Sequence, residues 1–237
     1  MHILPFFSTL VTFIFAVSVF NRYRYKHGPH LLMWTIGLVW YGLGTFSEVI
    51  LGLVYNGVAM KIWYLSGAMM TAAWLGQGTI HLLIRKRNVA WSLTAFLGLI
   101  SLLALVIIFK SPFTSPASQY VTTLAVSSQY KAFLSRPGLT IALTILLNIY
   151  GTITLVGGAI YSLIIFWRKR ILFNRMIGNI LIAAGALVPA MAGSFVKLGL
   201  ADMLYVSELV GVILMYVGFL KATSAPVNSV VAAVATK

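Results

Sequence analysis

The stretch Leu31–Val54, LLMWTIGLVWYGLGTFSEVILGLV, carries a single charge, Glu48. A helix needs about 20 predominantly apolar residues to cross the hydrocarbon core of a bilayer, so this stretch reads as a membrane span. It also raises a question. The chain holds only three acidic residues, Glu48, Asp202 and Glu208, and one of them stands inside this span. Hydrocarbon tolerates an ionisable carboxyl only where other spans shelter it.

The same reading extends outward over the chain. Of its 237 residues, 60% are hydrophobic and 8% charged, far short of the polar surface that a soluble domain of this length requires. Spans are expected at about 3–20, 31–54, 62–84, 90–109, 139–166, 173–196 and 203–221, which makes an all-α, seven-helix transmembrane bundle. It forms one domain over residues 1–224, followed by a short tail, 225–237. The N-terminal apolar run lacks a basic leading region and a small-residue cleavage site, so it reads as a retained helix and not a signal peptide.

The net charge of +14 is spread along connections and does not form a patch interleaved with aromatics, which argues against nucleic acid as a partner. Arg22, Arg24, Lys26, Arg85, Lys86, Arg87, Arg168, Lys169, Arg170, Arg175, Lys221 and Lys237 fall on one side of the expected bundle. Lys61, Lys110, Lys131, Arg136 and Lys197 fall on the other. Basic residues concentrate on the cytoplasmic side, so the N-terminus is expected outside and the C-terminus in the cytoplasm. The lipid bilayer is then the first partner. Arg22, Arg24, Arg85, Lys86, Arg87, Arg168, Lys169 and Arg170 are placed to meet anionic headgroups or a partner protein. The one long connection, 110–138 on the outer side, is rich in Ser and Pro. Its Phe113, Tyr120, Tyr130 and Phe133 are expected to pack over the bundle mouth or the headgroups.

Helical periodicity then places the polar groups. Gly37, Tyr41, Gly44, Glu48 and Tyr55 fall within about 60° of one another, and glycine stripes mark close helix approach, so Glu48 should face neighbouring helices. Thr140, Thr144, Asn148, Gly151, Gly158 and Ser162 form a stripe on the fifth span. Ser66, Ala73 and Gln77 line up on the third, with His81 nearby. Tyr205, Glu208 and Gly211 open the seventh, and Gly178, Gly185 and Pro189 share a face of the sixth, where Pro189 is a candidate hinge. An outward-opening pocket built from Glu48, Tyr41, Gln77, Asn148, Thr144, Tyr205 and Glu208 follows, with Lys61, Lys197 and Asp202 at its mouth. Two readings of Glu48 stay open: a ligand or ion site, or a neutral acid bonded to a Tyr or Asn as interhelical glue.

No catalytic apparatus is expected. With no cysteine there is no thiol nucleophile and no cysteine metal site. Of the four histidines only His81 falls within a span, since His2 is terminal and His27 and His30 are in the first basic connection. That excludes intramembrane zinc hydrolases, paired haem ligands and chlorophyll sites. The seventh span has no mid-helix lysine for a retinal. No cofactor or metal is expected.

The run HLLMWTIGLVWYGLGTFSEVILG, followed by MKIWYLSGAMMTAAWLGQG, resembles the N-terminal seven-helix sensor module of some bacterial histidine kinases. The aromatic followed by Glu on the second helix of those modules matches Trp40 and Glu48. The Trp/Tyr turn opening their third helix matches Trp63 and Tyr64. The resemblance implies a sensing function in a cell membrane, in bacteria the inner one. Because 225–237 is too short for a kinase, it also implies output through a separate cytoplasmic or membrane partner. A second expectation competes with it. Tyr64-x-Ser66 and Tyr205-x-Ser207 begin the third and seventh helices alike, and two triplets around helix four (3+1+3) would be the parallel repeat of a small-solute carrier. The PQ dipeptides of sugar carriers of that kind are absent.

Overall fold

The structure, a computed structural model, describes residues 3–169, 173–200 and 202–224. Among them the chain is helical, and its only extended pairing is an isolated bridge between Phe113 and Leu134. The α-helices are α1 (Ile3–Lys26), α2 (Pro29–Leu53), α3 (Gly57–Trp63), α4 (Thr71–Leu83), α5 (Arg87–Lys110), α6 (Val126–Phe133), α7 (Gly138–Thr152), α8 (Gly158–Lys169), α9 (Phe173–Lys197) and α10 (Met203–Thr223). Two wide π-helical turns, Tyr64–Met70 and Ile153–Gly157, join α3 to α4 and α7 to α8 without a break. Five helices are long and apolar enough to cross a bilayer, namely α1, α2, α5, Gly138–Ser162 and α10, and they mark a multi-pass membrane protein. His2, Arg170 and the 225–237 tail lie outside the described residues, as do the side chains of Arg168, Lys169, Arg175 and Lys197.

Local chemistry sets the ends. α1 continues past its expected end at residue 20, through Arg22 and Arg24 to Lys26, because cations suit the negative end of a helix. His27 then turns the chain at φ 49, and α2 restarts with Pro29, whose missing N–H costs nothing in a first turn. His30 therefore sits in α2 and not in a loop. Asn56 caps α3 by accepting from the Ala59 amide at 2.9 Å.

α5 keeps Phe96, Leu99 and Leu102 exposed, the face expected of a helix bordering lipid. α9 and α10 meet backbone to backbone instead. A Cβ on Gly178 would lie 2.6 Å from the Gly218 carbonyl oxygen, and one on Gly185 would lie 2.6 Å from that of Gly211. The relation is reciprocal, and equal seven-residue spacing on both helices keeps the two contacts in register. Pro189 leaves α9 continuous and packs against Gly211.

Two apolar clusters divide the interior. One gathers Leu51, Met60, Trp63, Tyr64, Tyr120, Val126, Phe133 and Leu147 near the 111–137 connection. The other gathers Phe15, Leu38, Leu75, Leu155, Val212, Met215 and Phe219 toward the basic end. The candidate site lies between them.

Candidate functional site

Glu48 is 2% exposed, and one oxygen of its carboxyl is anchored. Its Oε1 accepts from the Trp63 indole Nε1 at 2.7 Å, across the short turn between α2 and α3. It also lies within hydrogen-bond reach of the Glu208 carboxyl on α10. Ionised carboxylates only accept hydrogen bonds, so two that bond to each other need a proton between them. The oxygens Glu48 Oε2 and Glu208 Oε2 have no hydrogen-bond partner among the described residues. The acid in the second span is thus sheltered by an indole and a second acid. Neither the Tyr nor the Asn expected of the glue reading is its partner.

Beside this pair is a cavity of about 440 Å³ between α2, the first π turn, α4, α6, α7, the second π turn, α9 and α10. Tyr41, Thr144, Asn148 and Glu208 line it, as the spacing predicts, and Pro189 lines it from α9. Leu75, Leu155 and Met215 floor it and belong to the basic-end cluster. Two interruptions of regular helix converge on it, Gly67 and Ala68 of the first π turn and Leu155 and Val156 of the second. π turns free backbone carbonyls, and Asn148 Nδ2 donates to the one at Ala68 at 2.6 Å. Tyr64 and Thr144 hydroxyls bond at 3.1 Å alongside.

Three predicted pocket residues are placed otherwise. Glu48 stands behind the wall, bonded to Trp63, while Trp63 itself lines the cavity. Gln77 faces α5, donating to the Ala90 carbonyl at 3.0 Å and to Thr94 at 2.7 Å and accepting from Tyr150. The wide π turn ahead of it shifts the helical phase that a uniform 100° per residue assumes. Tyr205 accepts from the Val126 amide at 3.0 Å, satisfying a first-turn donor of α6 that no intrahelical carbonyl can reach.

The cavity's cover comes from the 111–137 connection. Ser127, Tyr130 and Lys131 of α6 line the cavity; Tyr130 meets the expectation of an aromatic over the bundle mouth, and no sequence spacing places Ser127 or Lys131 there. The Tyr130 ring packs at a tilt with its centroid 5.2 Å from that of Trp63, and the Tyr55 centroid lies 5.2 Å from that of Tyr120 and 5.5 Å from that of Phe133. Lys61 Nζ sits 4.7 Å over the Phe113 ring. The aromatics of this connection pack over the bundle end as expected. At the opposite end Arg22 donates to the Thr223 carbonyl at the end of α10, while Arg24, Arg85, Lys86 and Arg87 are exposed.

Burial, then the nearby Glu48 and Tyr55, push the Tyr120 hydroxyl up to about 12. A raised acid contributes stability that is complete below its ordinary value of about 10 and is lost as pH rises through the folded value. Hydrogen exchange in 111–137 should therefore accelerate between about pH 10 and 12. The Tyr120 hydroxyl has no partner, so Tyr120→Phe should fold as well and retain more protection across that interval.

Among the described residues no three His, Cys, Asp or Glu side chains come together to hold a metal ion. Comparison with protein families, curated proteins and solved structures returns no match.

Proposed function

We propose that this chain is a seven-span membrane sensor module or accessory subunit that binds a small, largely apolar molecule in its outer half and signals through its basic cytoplasmic face. The observation that carries this reading is the cavity itself, with π turns on two of its walls. A π turn holds an extra residue. Resolving it to α-helix shifts the following helix by roughly 1.5 Å and about 100°. α4 and α8 both run from such a turn toward the basic clusters, so an occupant that favours one register would be felt at the cytoplasmic face. Glu208, the Asn148 amide and the Thr144 hydroxyl would orient a ligand bearing a hydrogen-bond donor and an acceptor. The similarity to kinase sensor modules at Trp40, Glu48, Trp63 and Tyr64 supports the same reading, since two of those four residues are the bonded pair.

A carrier needs a polar path to both faces. Gln77 is spent on α5, and the cluster of Leu38, Leu75, Val212, Met215 and Phe219 lies beneath the cavity, so the observations favour the sensor. The two π turns also fall in the third and fifth long helices, which do not correspond in a 3+1+3 repeat.

Gly67 supplies the test, because a Cβ there meets nothing within 4 Å and the residue lines the cavity. Gly67→Leu should fold and fill the space. In a thermal-shift screen of small amines and alcohols, compounds that stabilise the wild type should lose their effect on this variant. If every stabilising compound acts equally on Gly67→Leu, the cavity is not the binding site.

A further inference from the structure

We propose that a second pocket, at the basic end, is a specific site for the phosphate group of an anionic membrane lipid. Its volume is about 440 Å³, and it lies between the α1–α2 turn, the end of α4 and the start of α5. His27, His81, Arg85 and Arg87 contribute its polar wall. None of the chain's three acids lines it, so no carboxylate competes for those donors. The His81 ring is held in place, its Nε2 bonded to Thr94 Oγ1 at 2.7 Å and its centroid 5.0 Å from that of the Trp91 ring in an edge-on contact. Lys86 gives the first turn of α5 no side-chain cap, and that turn reaches the pocket through Arg87 and Ala90. The positive end of a helix and a guanidinium pair favour the same anion.

The remaining wall argues for a lipid over free phosphate. Leu82, Ile84 and Trp91 line the pocket, and Leu82 and Trp91 are exposed on the outside of the bundle, where acyl chains run. Basic groups on one side and an apolar, indole-bearing side at a helix end suit a headgroup whose tails stay in the bilayer. This goes beyond a general basic face. It names one stoichiometric pocket among many exposed cations, and it rests on the multi-pass reading alone.

The test uses the full chain in phosphatidylcholine nanodiscs containing pyrene-labelled phosphatidic acid, with energy transfer from tryptophan as the readout. Transfer should saturate at one lipid per chain. Arg85→Gln with Arg87→Gln should weaken half-saturation about thirtyfold. Arg24→Gln with Lys26→Gln removes the same charge from exposed positions outside the pocket and should leave it nearly unchanged. Equal losses in both pairs, or none in either, would overturn the site. Displacement of the probe by inorganic phosphate would overturn the lipid assignment. Should the first pair fail to fold, His27→Glu, an exposed change on the opposite wall, must weaken binding as well. Both leaflets carry the probe, so the outcome does not depend on which end faces the cytoplasm or on what fills the other cavity.

Discussion

Gly211→Leu is expected to destabilise the protein by on the order of 3 kcal/mol or more, a fall in melting midpoint of roughly 6–12 °C in detergent. Added atoms at Gly211 would meet the Gly185 carbonyl oxygen at 2.7 Å and Pro189 Cγ at 2.6 Å, so α9 and α10 must separate. A carbonyl cannot rotate away as a side chain can, and separation would forfeit packing along the whole pair. The same damage should reach the cavity, because Pro189 and Ala186 of α9 and Glu208 and Met215 of α10 all line it. Gly98→Leu serves as the control, since a Cβ there meets nothing within 4 Å and it should melt close to wild type. A Gly211→Leu protein with an unchanged midpoint would refute the backbone-to-backbone contact.

The second large effect is expected at the buried acid. Glu48→Leu removes the acceptor of the Trp63 indole and the partner of Glu208 together, and should cost about 2–4 kcal/mol. Glu48→Gln should cost under about 1 kcal/mol, because its carbonyl still accepts from Trp63 and its amide can donate to Glu208. Trp63→Phe should be milder than Glu48→Leu. In the double variant the two effects should fall short of additive by about 1 kcal/mol or more. Thermal midpoints of the wild type and these four variants in one detergent decide this. Glu48→Gln melting as low as Glu48→Leu would sink the hydrogen-bonded account of the pair.

The acid of Leu31–Val54 also marks how far sequence reading carries. Apolar length and helical period suffice to place helices, because a bilayer demands about 20 apolar residues and a helix turns by a constant angle. From these come the inward face of Glu48, the inward stripe Thr140–Gly151 on α7 and the close-packing glycines of α9 and α10. They also bring Tyr41, Thr144, Asn148 and Glu208 to one space. Gln77 escaped because the constant angle fails across a π turn, and no residue pattern in Tyr64–Met70 announces that turn.

Sequence alone, then, determined that this is a helical membrane chain and, where the helix turns regularly, the inward face of its polar residues, since both follow from solvent and from local geometry. Only the tertiary structure decided which faces meet. It put Trp63 against Glu48, Glu208 beside them, Tyr205 under α6, and Ser127 and Lys131 over the cavity. Those pairings join residues distant along the chain. They are selected by whether all the buried donors, acceptors and backbone contacts can be satisfied at once, and no single helix contains that information.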